Sequence, residues 1–220
     1  MTTFHPRTHV LPAAQRALWS QLAPLVEMGF VLYGGTAVAL RLGHRVSVDF
    51  DFFHDQPLDG SRLRQACAFL TEARVLQDQP DNLTVLVPGE AWVKVSFLAP
   101  IRFGRVSAPE KTADGTLVVA SAEDLLATKL KVILQRAEAK DYRDISAMLS
   151  AGTDLAHGLA AASTLFAPTF QPSESLKALT FFGEGDLGDL EPAVRHVLID
   201  QARRVGPLPE VAIVSRKLAL

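Results

Sequence analysis

Residues 33–53, YGGTAVALRLGHRVSVDFDFF, place two aspartates two positions apart, Asp49 and Asp51, inside an apolar run. On a β-strand successive side chains point to opposite faces. Asp49 and Asp51 then share one face, while Val48, Phe50 and Phe52 share the other. The apolar set can enter a core. The acid set puts like charges side by side, which is costly unless a cation or a shared proton relieves the repulsion. Alternation alone would also permit a solvated strand face. Phe50, Phe52 and Phe53 mark a well-buried strand, so the pair reads as a site for a metal ion.

The residues on either side fit that reading. "FVLY" (30–33) is a short apolar strand, Gly34 and Gly35 make a turn, and "TAVALRLG" is a short helix that stops at Gly43. A Gly-Gly turn lets a backbone approach a bound group closely. The helix after it directs its first N–H groups at the turn, which favours an anion such as phosphate. Thr36 offers a hydroxyl donor there. Mg²⁺ prefers oxygen ligands and often bridges protein carboxylates to substrate phosphates, so Asp49 and Asp51 suit it. A phosphate cradle beside a metal pair is what nucleotidyl or phosphoryl transfer needs. Arg45 and Ser47 have two readings: they hydrogen-bond the turn, or they orient Asp49 from behind.

Composition sets the frame. The chain has 220 residues, is 48% hydrophobic and 21% charged, and carries a formal net charge of −2. That is enough for a sizeable core and excludes a strongly basic nucleic-acid binder, though not a local basic patch. With the single cysteine, Cys67, no intrachain disulfide can form, which points to a reducing cytoplasm. Cys67 reads as a core residue on an amphipathic helix. The start shows no signal peptide, and no apolar run reaches the length of a membrane span.

Along the chain, 11–28 reads as a first helix and 58–71 as another. From 72 to 120 the pattern is β-rich, with strands expected at 84–87 and 92–98 and short ones at "IRFGRVS" (101–107) and "TLVVA". A helix follows from Ser121 to about Arg136, then a second over "KDYRDISAMLS", and the rest is mainly helical. The expected organisation is an α/β half, 1–120, and a helical half, 121–220.

Two stretches together carry a resemblance. "YGGTAVALRLGHRVSVDFDFF" and "EDLLATKLKVILQRAEAKDYRDI" (123–145) resemble the signatures of the nucleotidyltransferase AbiEii/AbiGii toxin family, within the DNA polymerase β-like superfamily. The first matches Gly-Gly-Thr-Ala, a short helix, then Arg-x-Ser-x-Asp-hydrophobic-Asp. In the second, Lys129, Arg136, Lys140, Asp141 and Asp144 fall on the family's places. The resemblance covers about residues 30–150 and implies an α+β (α/β) fold: a mixed-sheet nucleotidyltransferase core with a mainly helical C-terminal half. It implies a Mg²⁺- or Mn²⁺-dependent enzyme transferring a nucleoside monophosphate from an NTP to an acceptor such as a tRNA 3′ end. The enzyme would be the toxin of a toxin–antitoxin or abortive-infection system, with an antitoxin partner. Asp49 and Asp51 would hold metal, and Gly34, Gly35 and Thr36 would meet the triphosphate. Lys129 would contact phosphate and Asp141 would be a further acid. One place departs: the superfamily's third carboxylate, expected on the strand "WVKVSFL", is Ser96.

Blander readings stand beside these. From periodicity alone Lys129 extends to solvent. Asp141 and Asp144 pair with Lys140 and Arg143 in a surface ion network. If RNA binds, Arg41, Arg45, Arg102, Arg105, Lys129, Lys131, Arg136, Lys140 and Arg143 are the basic residues to hold it. Ser96 keeps open a nucleotide- or RNA-binding module without chemistry. A phosphatase using Asp-x-Asp ranks last, because Phe53 stands where a hydroxyl is needed and the Gly-Gly turn would go unexplained.

Overall fold

The computed structural model describes residues 2–220, which divide into two compact units. The first comprises residues 2–104, 108–121 and 215–220; the second comprises 105–107 and 122–214.

The first unit is a mixed sheet with helices. Its strands are β1 (Thr3–Phe4), β2 (Val31–Tyr33), β3 (Asp49–Phe53), β4 (Arg74–Gln79), β5 (Asn82–Val87), β6 (Val93–Leu98), β7 (Glu110–Thr112) and β8 (Val118–Val119). They lie in the order β1-β7-β8-β2-β3-β6-β5-β4. β3 pairs antiparallel with β2 and parallel with β6, so it is internal to the sheet. Phe50 and Phe52 are fully buried, and Phe52 stacks on Phe97 of β6 at 5.7 Å between ring centres. Burying each of these side chains contributes roughly 1.5–3 kcal/mol. That burial fixes the strand's facing, because a one-residue slip would exchange the phenylalanines with the aspartates. Val48, expected with Phe50 and Phe52 in the core, precedes the strand and is 58% exposed.

Four helices belong to this unit: α1 (Ala13–Leu18), α2 (Pro24–Glu27), α3 (Gly34–Leu42) and α4 (Gly60–Ala66). The single helix expected over 11–28 is broken. Residues Trp19–Leu22 tighten into a 3₁₀ turn and Pro24 starts α2 afresh, since proline cannot donate into the preceding turn. No strand forms over 101–107, where Pro100 and Gly104 interrupt the extended run. Strands β1, β4 and β7 carry no alternation that the sequence would show. β4 is exposed along its whole length, forms one edge of the sheet, and carries a register shift between Val75 and Gln77. Cys67 sits buried just after α4, and burial pushes its thiol up to about 11. Arg41 is an internal tie. Its guanidinium pairs with Glu110 on β7, donates to the Ala120 carbonyl at 2.6 Å and lies over the Phe4 ring at 4.5 Å. The segment 215–220 joins the unit through buried Leu218, whose N–H donates to Asp55 Oδ2 at 2.9 Å.

The second unit is built from α5 (Ala122–Val132), α6 (Ala139–Ser150), α7 (Leu155–Leu165), α8 (Pro172–Thr180) and α9 (Pro192–Arg204). Asp154 caps α7 by accepting from the His157 N–H at 3.0 Å. α7 meets α5 at Gly158, where a Cβ would fall 2.5 Å from Leu126 Cδ2. Ser175 on α8 donates to the Leu130 carbonyl of α5 at 3.1 Å. No described helix is long and apolar enough to cross a membrane.

Two outcomes are expected. Gly158→Ala must push α5 and α7 apart and should lower unfolding stability by about 1–3 kcal/mol, read by denaturant melts; a melt like the parent's would show that the helices have room to spare. Cys67 should stay silent to a thiol reagent at pH 8 in the folded chain and react fully once the chain is denatured.

Candidate active site

The β3 face opposite Phe50 and Phe52 carries Asp49, Asp51 and Phe53. Gly34 and Gly35 form the first turn of α3, directly after β2. β2 pairs Tyr33 with Asp51, so the start of α3 arrives beside that acid. A Cβ at Gly34 would lie 2.6 Å from Asp51 Oδ2, and Gly34 has φ +74°. Glycine is therefore required twice there, once for the backbone and once for the carboxylate's room. The partial positive charge at the N-terminus of α3 favours a negative group in that position.

Thr36 ties the helix to the strand. Its hydroxyl donates to the Asp49 carbonyl and lies 2.8 Å from Ser47 Oγ. A hydroxyl has one proton and a carbonyl only accepts, so the Ser47 hydroxyl supplies the proton of the second bond. Both residues are buried. Ser47 thus reaches Asp49 through Thr36 and the main chain. Arg45 closes on its own loop, Nη1 donating to the Val46 carbonyl at 2.9 Å.

On the other side of β3, β6 sets Lys94 beside Asp49 and Ser96 beside Asp51. Lys94 Nζ is 3.2 Å from Asp49 Oδ2. The sequence signals Lys94 only by its alternation with Ser96 on "VKVSFL"; the register that joins it to Asp49 is a property of the fold. Among the described residues no group of three or more His, Cys, Asp or Glu side chains is placed to hold a metal ion. Two carboxylates on one face are still a sufficient protein contribution for Mg²⁺, which completes its shell with water and phosphate oxygens.

Within the second unit, three of the other motif's residues, Lys129, Asp141 and Asp144, form a buried ion cluster with half-exposed Arg136 at its edge. Lys129 on α5 lies 2.6 Å from both Asp141 Oδ1 and Asp144 Oδ2 on α6. Arg136 grips Asp141 with two bonds, Nε at 2.8 Å and Nη2 at 3.3 Å. Burial alone would raise the Asp141 carboxyl, but the Lys129 charge and the Arg136 hydrogen bond hold it below the ordinary range. Two sequence readings are corrected by this geometry. Lys129 does not extend to solvent, because two buried carboxylates hold it. Asp141 and Asp144 are not members of a surface network; Lys140 pairs with Glu138 and Arg143 with Glu191. Among the basic residues named for RNA, Arg41 is held within the first unit, and Lys129 and Arg105 are buried in the second.

A protein of Aquifex aeolicus (strain VF5), itself described as uncharacterized, is 36% identical over 130 residues. That match takes in 56% of this chain and 61% of the relative, so it spans less than two thirds of the relative's length. MenT4, a nucleotidyltransferase toxin from Mycobacterium tuberculosis H37Rv, superposes with a TM-score of 0.58 at 18% identity, covering 87% of this chain and 83% of its own. That likeness is one of fold, and it agrees with the mixed-sheet α/β architecture described above. The family model for the nucleotidyl transferase AbiEii toxins of type IV toxin–antitoxin systems matches residues 16–193, and the chain belongs to that family.

Proposed function

We propose that this chain is a metal-dependent nucleotidyltransferase that moves a nucleoside monophosphate from an NTP to an acceptor, RNA such as a tRNA 3′ end. The observation that supports it most is the pair Asp49 and Asp51 on one face of β3, with the glycine-led N-terminus of α3 against Asp51. Asp49 and Asp51 are proposed to hold Mg²⁺ or Mn²⁺. Bound there, a divalent cation neutralises charge on the phosphates and aligns attacking and leaving oxygens. Gly34 and Gly35 leave the backbone open to the triphosphate, and the helix N–H groups favour its charge. Thr36 and Ser47 act by fixing where β3 begins, and Arg45 by shaping the loop before it. On the family resemblance alone, Lys129, Asp141 and Asp144 are proposed as functional residues of the second unit, Lys129 as a phosphate contact, Asp141 as an acid and Asp144 in support of Lys129. In the cell the chain would act in the cytoplasm as the toxin of a type IV pair, held in check by an antitoxin.

Ser96 beside Asp51 favours a second reading, a module of the same fold that binds nucleotide or RNA without chemistry. The usual base that would take the proton from the attacking hydroxyl has no carboxylate at that position.

One assay separates the two. Purified chain is incubated with Mg²⁺ or Mn²⁺, each labelled NTP in turn, and total tRNA, beside an Asp49→Ala, Asp51→Ala double variant. Label is expected on RNA with the parent, falling by on the order of 10²–10³-fold in the variant. NTP binding without label transfer in any metal would replace the transferase by the binding module.

The ion cluster makes a separate prediction about stability. The Asp141 carboxyl is depressed below its ordinary value near 3.8 in the folded chain. Its contribution is therefore complete above about pH 4 and is lost as pH falls through the lower, folded value. Asp141→Asn should destabilise the chain by about 3–5 kcal/mol at pH 7, and the gap to the parent should narrow below pH 4 in thermal melts. A gap that stays constant down to pH 2 would show that Asp141 is not held as a carboxylate by Lys129 and Arg136.

A further inference from the structure

We propose that Lys94 is the resident second cation of the Asp49–Asp51 face, so that the site takes a single divalent ion. This rests on the metal-dependent reading above and deepens it. β3 and β6 run parallel with Asp49 opposite Lys94 and Asp51 opposite Ser96. Residues in register on neighbouring strands share a sheet face, so the lysine and the serine stand beside the two acids. Lys94 Nζ lies 3.2 Å from Asp49 Oδ2, with the side chains 39% and 34% exposed. A pair this open to water is loosely held and can exchange partners.

The next strand brings no acid to the face. Opposite Ser96 on β5 is Thr84, and opposite Lys94 is Leu86. A second divalent ion would need a third carboxylate, and the strand offers only the Ser96 hydroxyl in its place. The charges balance without one. Two carboxylates and one ammonium sum to −1; one divalent ion brings the face to +1, the sign a triphosphate needs. Lys94 donates and cannot accept. It holds Asp49 when no ion is bound and donates to a phosphate oxygen when the ion takes Asp49. It is a binding residue for the triphosphate.

The test is binding, read by calorimetry and Mn²⁺ electron paramagnetic resonance on the full chain. Mn²⁺ is titrated alone, then methylene-bridged ATP and GTP analogues are titrated with Mn²⁺ present. The parent is compared with Lys94→Met, Lys94→Arg, Ser96→Asp and the Asp49→Ala, Asp51→Ala pair, each checked for folding by circular dichroism. One Mn²⁺ per parent chain is expected. Lys94→Met should bind Mn²⁺ on the order of tenfold tighter, because a competing charge has left the carboxylates, and the analogue on the order of tenfold weaker. Lys94→Arg should restore both values, and Ser96→Asp should admit a second ion. Two Mn²⁺ on the parent, or Lys94→Met unchanged in both titrations, overturns the proposal and leaves the metal site standing. No Mn²⁺ on the parent, with analogue binding indifferent to the Asp49, Asp51 pair, overturns the metal-dependent reading and this proposal with it.

Discussion

Two like charges on one face of an internal strand are tolerable only if something fixes the strand and something answers the charge. Phe50 and Phe52, sealed on the opposite face, fix it. They leave Asp49 and Asp51 no alternative facing, because any slip would bury the acids and expose the rings. The α3 N-terminus and Lys94 then answer the charge from either side, at Asp51 and at Asp49 respectively. The Gly-Gly-Thr turn is placed by the same constraint. Its glycine admits the carboxylate, and its threonine bolts helix to strand.

The helical unit solves a different electrostatic problem. There Lys129, Asp141 and Asp144 are buried, and their charges survive because they are paired. Lys129 between Asp141 and Asp144, with Arg136 on Asp141, leaves little net charge out of water. Such a cluster is weak as a source of stability when judged against apolar packing, yet removing any one member strands another. Its clearest structural effect is to hold α5 against α6 in one register.

Much of this fold could be read from the chain, and the reasons are local. β3 and β6 alternate cleanly, and α3 is bracketed by glycines, so periodicity finds all three. What stayed hidden had no local signal. β4 is exposed on every residue and so shows no alternation. β1 and β7 span only Thr3–Phe4 and Glu110–Thr112 and exist through their pairing. The break at Trp19–Leu22 hides in an otherwise helical pattern. Lys94 escaped for a topological reason: its partner Asp49 lies 45 residues away in sequence, and only the β3–β6 register joins them. Arg41 and Lys129 looked like surface cations because composition does not reveal which carboxylate or carbonyl waits in the fold.

The eight-stranded sheet is open, so it has two rims of backbone groups that another chain's strand could copy. One rim is too short to serve as a template, since β1 spans two residues. The other, β4, has the length but defends itself chemically. Arg74 and Asp78 stand on it, Arg64 pairs with Asp78 at 2.8 Å, and the irregularity between Val75 and Gln77 spoils its flatness. An exposed edge guarded by charge and a kink resists accretion of foreign strands. That guard weakens as salt screens the charges. The chain's colloidal behaviour is thus written into the strand that contributes least to its core.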